Sequence, residues 1–172
     1  MHLSYVITEA RGATDRLLSD VAAELQSRGV RLAGIVQTNT ECRDDALCDM
    51  DVRVLPGQEN IRISQSLGPG ARGCRLNPEA LEQAVAQVTA SLHESPPPQL
   101  LIVNKFGKHE AAGRGLRPVI GEALALGIPV ISGVNKLNLE AFQEFADGMA
   151  KAAPVELEAL AAWAERAVAE TA

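Results

Sequence analysis

The sequence predicts an α/β domain of three layers, with a mostly parallel sheet held between helices. Three observations predict it. Short runs of branched aliphatic residues alternate along the chain with segments of helical period. The runs LLIV and IPVISGV are apolar with little or no polar interruption, the pattern of strands buried on both faces. The chain is also 47% hydrophobic but only 3% aromatic, so its core must be aliphatic and Ala-rich. At 172 residues it is expected to form one domain, 1–172, with a substantial core.

Taken in order, Leu3 to Thr8 (LSYVIT) reads as the first strand and EARGAT as the loop after it. From Asp15 the residues Leu17, Leu18, Val21, Ala22 and Leu25 share one helical face, and Gly29 stops that helix. Val30 to Val36 is the second strand, followed by the polar run QTNTEC. Asp51 to Leu55 and Asn60 to Ser64, separated by PGQE, predict an inserted antiparallel hairpin. The Gly- and Pro-rich LGPGARGCRL segment then carries Arg72, Cys74 and Arg75. It is a candidate covering loop that brings cations over a site, and a plain surface connection is the alternative.

Asn77 caps the next helix, with Pro78 at its first position and Leu81, Val85, Val88 and Leu92 as its buried stripe. Leu100 to Val103 is a strand, and Asn104 to Gly115 is the connection that leaves it. Val119, Ile120, Ala123 and Leu124 mark a helix from Leu116 to Gly127, after which IPVISGV is a buried strand. Asn138 to Lys151 is expected as a helix with Leu139, Phe142 and Phe145 inward. Pro154 opens the last helix, with Leu157, Leu160, Ala161 and Ala164 inward and Trp163 beside them.

Charge and composition narrow the function. A net charge of −6 argues against general nucleic-acid or acidic-membrane binding. No apolar run reaches membrane-spanning length, and the amino terminus leads straight into a strand rather than a signal peptide. Cys42, Cys48 and Cys74 are odd in number and lack zinc spacing, which predicts reduced thiols in a cytoplasmic protein.

A parallel strand that delivers a charged loop at its carboxyl end is where open α/β sheets place ligand sites. Asn104 to Gly115 is such a loop, with Lys105, Lys108, His109, Glu110 and Arg114 among its residues. The first loop can be set against the phosphate-binding pattern G-x-x-x-x-G-K-[ST]. With Gly12 as the second glycine, Thr14 takes the Ser/Thr position, but Ile7 replaces the first glycine and Ala13 the lysine. The start of a helix there still offers backbone N–H groups to an anion. His109 reads as a surface residue, and Cys74 as a small buried hydrophobe.

With both loops in view, the chain resembles small P-loop nucleoside-triphosphatases. Their second motif runs as apolar strand, two acids, an apolar residue, Gly, Lys, an apolar residue and Glu. LLIV-N-K-F-G-K-H-E keeps the strand, Gly107, Lys108 and Glu110, and departs at Asn104 and Lys105. Over nearly its whole length the chain is similar to a bacterial family catalogued as a domain of unknown function. The shared stretches are the NKFGK-x-E-A-x-G-R-G-L run, the LGPGARGCRLNPEAL-type loop and the IPVISGV-type strand. That resemblance implies a P-loop NTPase-like fold and brings the labels NTPase-like and molybdate-associated.

In the resembled enzymes the first acid orders Mg²⁺ and the second positions the attacking water. Asn104 supplies no charge, Lys105 has the opposite sign, and Ala13 lacks the ammonium. Efficient hydrolysis is therefore not expected, and no cofactor is required; Mg²⁺ enters only if the chain is an NTPase with unorthodox residues. The same changes make the sheet edge cationic, with Arg11, Lys105, Lys108 and Arg114 as candidates. The expected site is Arg11, Gly12, Thr14, Asn104, Lys105, Lys108, Glu110 and Arg114, taking a nucleotide, phosphate or other small oxyanion. Affinity is expected to rest on Lys108 and Arg114, and Glu110 can instead neutralise the loop by pairing with Lys105 or Arg114. A vestigial site on a scaffold that acts through protein contacts, as a homodimer for instance, is the third reading. Asn135-Lys136-Leu137-Asn138 resembles the N-K-x-D motif of GTPases, but Asn138 lacks the carboxylate and the match reads as coincidence.

Overall fold

The computed structural model describes residues 2–39, 49–65, 68 and 76–171. Arg72, Cys74 and Arg75, expected as a covering loop, lie outside the described residues, as do Cys42 and Cys48. Seven strands form one sheet: β1 (Leu3–Val6), β2 (Leu32–Asn39), β3 (Met50–Leu55), β4 (Asn60–Arg62), β5 (Leu100–Phe106), β6 (Val130–Val134) and β7 (Lys151–Ala152). Their order is β4-β3-β2-β5-β6-β1-β7. The five strands from β2 to β7 in that order run parallel, and the β3–β4 hairpin is antiparallel at one edge. The predicted α/β class, three layers and inserted hairpin are all present, in a P-loop NTPase-like arrangement.

The period of two along β5 explains why its sequence is apolar throughout. Leu101 and Val103 point into one core with Ala84, Val88 and Ile120. Leu100 and Ile102 point into the other, with Leu18, Val21 and Leu160. The helices divide accordingly. Helix α1 (Ala13–Ser27) and α6 (Leu157–Ala169) cover one face, while α2 (Pro78–Ser91), α4 (Arg117–Ala125) and α5 (Leu139–Ala146) cover the other. The one-turn helix α3 (Lys108–Ala111) lies between β5 and α4. Asn77 caps α2 as expected, its side chain accepting from the N–H groups of Glu79 and Ala80.

Among the boundaries that differ from expectation, three do so for a tertiary reason. Strand β5 runs on through Asn104 to Phe106, because Phe106 pairs with Val134 of β6 beyond a register shift. Phe106 is fully buried and packs edge-on against Phe142, ring centroids 5.1 Å apart. The expected helix 138–151 stops at Ala146, where Asp147 takes a left-handed conformation (φ 46°) ahead of Gly148. The chain then forms β7 against β1, pairing Ser4 with Lys151 and Tyr5 with Ala152. The last helix starts at Leu157 with Glu156 at its cap, three residues beyond Pro154.

Candidate functional site

The carboxyl ends of β1, β5 and β6 meet the amino terminus of α1, and there they enclose a cleft of about 390 Å³. Gly12 makes the turn into α1 in a left-handed conformation (φ 73°), which a residue with a side chain rarely adopts. It offers no side-chain cap; the Ala13 N–H is taken by the Ala10 carbonyl at 3.1 Å, and the positive dipole end of α1 lies at the cleft. Thr8 and Thr14 join their hydroxyls at 2.7 Å and tie the exit of β1 to that turn. Gly133 of β6 allows the close approach. A Cβ there would collide with the carbonyl oxygen of Asn104 and stand 2.8 Å from Thr14 Cγ2.

Asn104 is buried at the floor, with 2% of its surface exposed. Its Oδ1 accepts from the Gln37 N–H at 3.0 Å, and its Nδ2 donates to Asp15 Oδ1 at 2.9 Å. The amide thus locks β2, β5 and α1 together. Both of its ends are engaged by protein groups, and the site's acid comes instead from Asp15, in the first turn of α1. The mouth carries Glu9, Arg11, Lys105 and Lys136. Lys136 donates to Glu9 at 2.7 Å. Arg11 and Lys105 are exposed, and neither has an ion-pair partner among the described residues.

The expected site residues divide between two places. Arg11, Gly12, Thr14, Asn104 and Lys105 line the cleft together. Lys108, Glu110 and Arg114 do not. Glu110 is 5% exposed, and its carboxylate accepts from the Gly107 N–H at 2.9 Å and the Leu116 N–H at 3.1 Å. It holds the loop rather than pairing with Lys105 or Arg114, because two backbone donors buried with it claim both of its oxygens. Lys108 and Arg114 are exposed outside the cleft lining.

Three residues with a part here carried too little signal alone. In the sequence, Asp15 reads only as a helix start. Lys136 and Asn135 lay in a segment read as a coincidental GTPase match, yet both line the cleft. The signal that could have found them is topological: Asn135 follows a parallel strand, so it must emerge at the same sheet edge as Asn104. Asn135 also caps a 3-10 turn, Lys136–Asn138, accepting from the Asn138 N–H at 3.0 Å and Asn138 Nδ2 at 2.8 Å. Among the described residues, no cluster of three or more His, Cys, Asp or Glu is placed to hold a metal, and no helix is long and apolar enough to cross a membrane.

Comparison with known proteins agrees with this architecture. The chain is 37% identical over 152 residues to the "Molybdenum import ATP-binding protein ModC 2" of Bradyrhizobium diazoefficiens. The match takes in 87% of this chain but 16% of the relative, so the chain spans about a sixth of that protein's length. No solved structure matches it. Residues 3–163 match the family described as "Protein of unknown function (DUF2478)", and with nearly the whole chain covered the protein belongs to that family.

Proposed function

We propose that the cleft binds a small oxyanion, or the phosphate groups of a nucleotide, without a divalent metal and without efficient hydrolysis. The observation that carries this reading is the position of Arg11 and Lys105. They are two exposed cations with no ion-pair partner among the described residues, beside an uncapped helix start. In an acidic protein such a local excess focuses the field on one anion site. Asn104 stands where the resembled NTPases hold a metal-ordering acid, and its amide is committed to Gln37 and Asp15. Hence the site favours direct cation–anion contact over a metal bridge. The ModC 2 relative is named for molybdenum import and ATP binding, which puts molybdate and adenine nucleotides among the ligands to test first. We place the protein in the cytoplasm, in an accessory or regulatory role.

Thermal unfolding with phosphate, sulfate, molybdate, tungstate, ATP and GTP, each with and without Mg²⁺, tests the reading. One anion class should raise Tm, and Lys105→Ala should reduce the rise at the same anion concentration. No shift with any of them would refute it and leave a scaffold acting through protein contacts. A hydrolytic reading has one observation in its favour, the Asp15 carboxylate in the cleft. Mg²⁺-dependent phosphate release from ATP or GTP that disappears in Lys105→Ala would establish it.

A further inference from the structure

The mouth of the cleft holds an internal anion. Glu9, in the loop after β1, reaches across to Lys136, at the start of the 3-10 turn after β6, and the pair closes at 2.7 Å. Both side chains are exposed, Glu9 at 84% and Lys136 at 67%. Resting on the anion-binding reading above, we infer that Glu9 is a displaceable stand-in for the ligand, and that Lys136 becomes a third ligand cation once an oxyanion replaces the Glu9 carboxylate.

Three observations carry this. The pair is the one ion pair bridging the cleft mouth among the described residues, and both its members line the cleft. The lysine side is pinned, since Asn135 caps the 3-10 turn through two hydrogen bonds and holds the Lys136 backbone at the rim. The two cleft carboxylates also differ in kind. Asp15 is held from the floor by Asn104, whereas Glu9 is a highly exposed side chain that can swing into water with little loss. An exposed pair of this type is weak, so exchanging it for a ligand oxyanion costs no more than about fivefold in affinity. A carboxylate that competes for the same ammonium also sets a threshold, because monovalent anions at ordinary concentration are excluded while a multiply charged oxyanion wins.

Calorimetric titration with inorganic phosphate and with molybdate tests the exchange on the parent, Glu9→Gln, Lys136→Ala, their double variant and Lys105→Ala. Glu9→Gln should bind about two- to fivefold tighter than the parent, and Lys136→Ala weaker than the parent. The double variant should match Lys136→Ala, because the gain from removing Glu9 passes through Lys136. The Glu9 side-chain carboxyl ¹³C signal of the parent should move as the anion saturates the site. Binding that is weakened in Lys105→Ala but unaltered in Glu9→Gln overturns the exchange and leaves the anion cleft standing. A gain from Glu9→Gln that persists without Lys136 also overturns it, reducing Glu9 to a distant charge. If neither parent nor Glu9→Gln binds either anion, the exchange falls, and the cleft reading falls with it when sulfate, tungstate, ATP and GTP also leave Tm unchanged.

Discussion

The two loops at the carboxyl edge of this sheet are chemically alike in sequence and opposite in use. The loop after β1 is open, with a helix start lacking a side-chain cap and Arg11 standing beside Lys105 in a cleft. The loop after β5 is closed on itself. Glu110 takes the N–H of Gly107, ahead of α3, and that of Leu116, ahead of α4, and Arg117 donates to the carbonyls of Glu110 and Ala111, 4.9 Å over the ring of Phe145. A charged loop therefore reads as a candidate site where its cations line a cleft and no buried carboxylate has claimed its backbone donors. Where a buried carboxylate has already claimed them, the charge is structural and the remaining cations face solvent.

The largest test of that contrast is Glu110→Ala. Losing two charge-assisted hydrogen bonds and leaving two amides unpaired should cost about 3 kcal/mol or more. Urea unfolding measures it, and the folded fraction should still bind phosphate as the parent does. A loss below about 1 kcal/mol would mean that the second loop is not self-contained. Gly133→Ala strikes the open side instead. Forcing a methyl group against Asn104 and Thr14 should cost about 1–3 kcal/mol and also abolish binding, since β6 must move away from α1. Thermal unfolding together with anion titration separates this variant from Glu110→Ala.

Asn104→Asp restores the acid of the resembled NTPases but places it against Asp15 at a buried position. About 2 kcal/mol of stability should go with the lost donor, without any gain in Mg²⁺-dependent phosphate release. A stable, hydrolysing variant would show that Asn104 was only a missing catalytic group. The smallest effects are the most discriminating. Arg11→Ala and Lys105→Ala should each weaken oxyanion binding about tenfold, whereas Lys108→Ala and Arg114→Ala should stay within about twofold. Repeating the titrations at rising ionic strength should weaken the parent more than Lys105→Ala. Equal losses at all four positions would erase the distinction between the loops.

The sequence by itself determined the architecture, because a strand buried on both faces needs apolar residues at every position and a covering helix needs one apolar stripe. LLIV, IPVISGV and the Leu18–Val21–Leu25 face carry that requirement locally, and so does the Asn77-Pro78 start of α2. It also placed the charged loops at one edge of the sheet, since parallel strands deliver their following loops to the same side. What only the tertiary structure decided is which polar groups are already spent. Asn104 binds Gln37 and Asp15, residues 67 and 89 positions away along the chain, and no local pattern encodes such partners. Glu110 looked like any loop acid until the fold buried it with the N–H groups of Gly107 and Leu116. Lys136 entered the cleft only because β6 lies between β5 and β1, an order set by packing across the sheet and not by spacing along the chain.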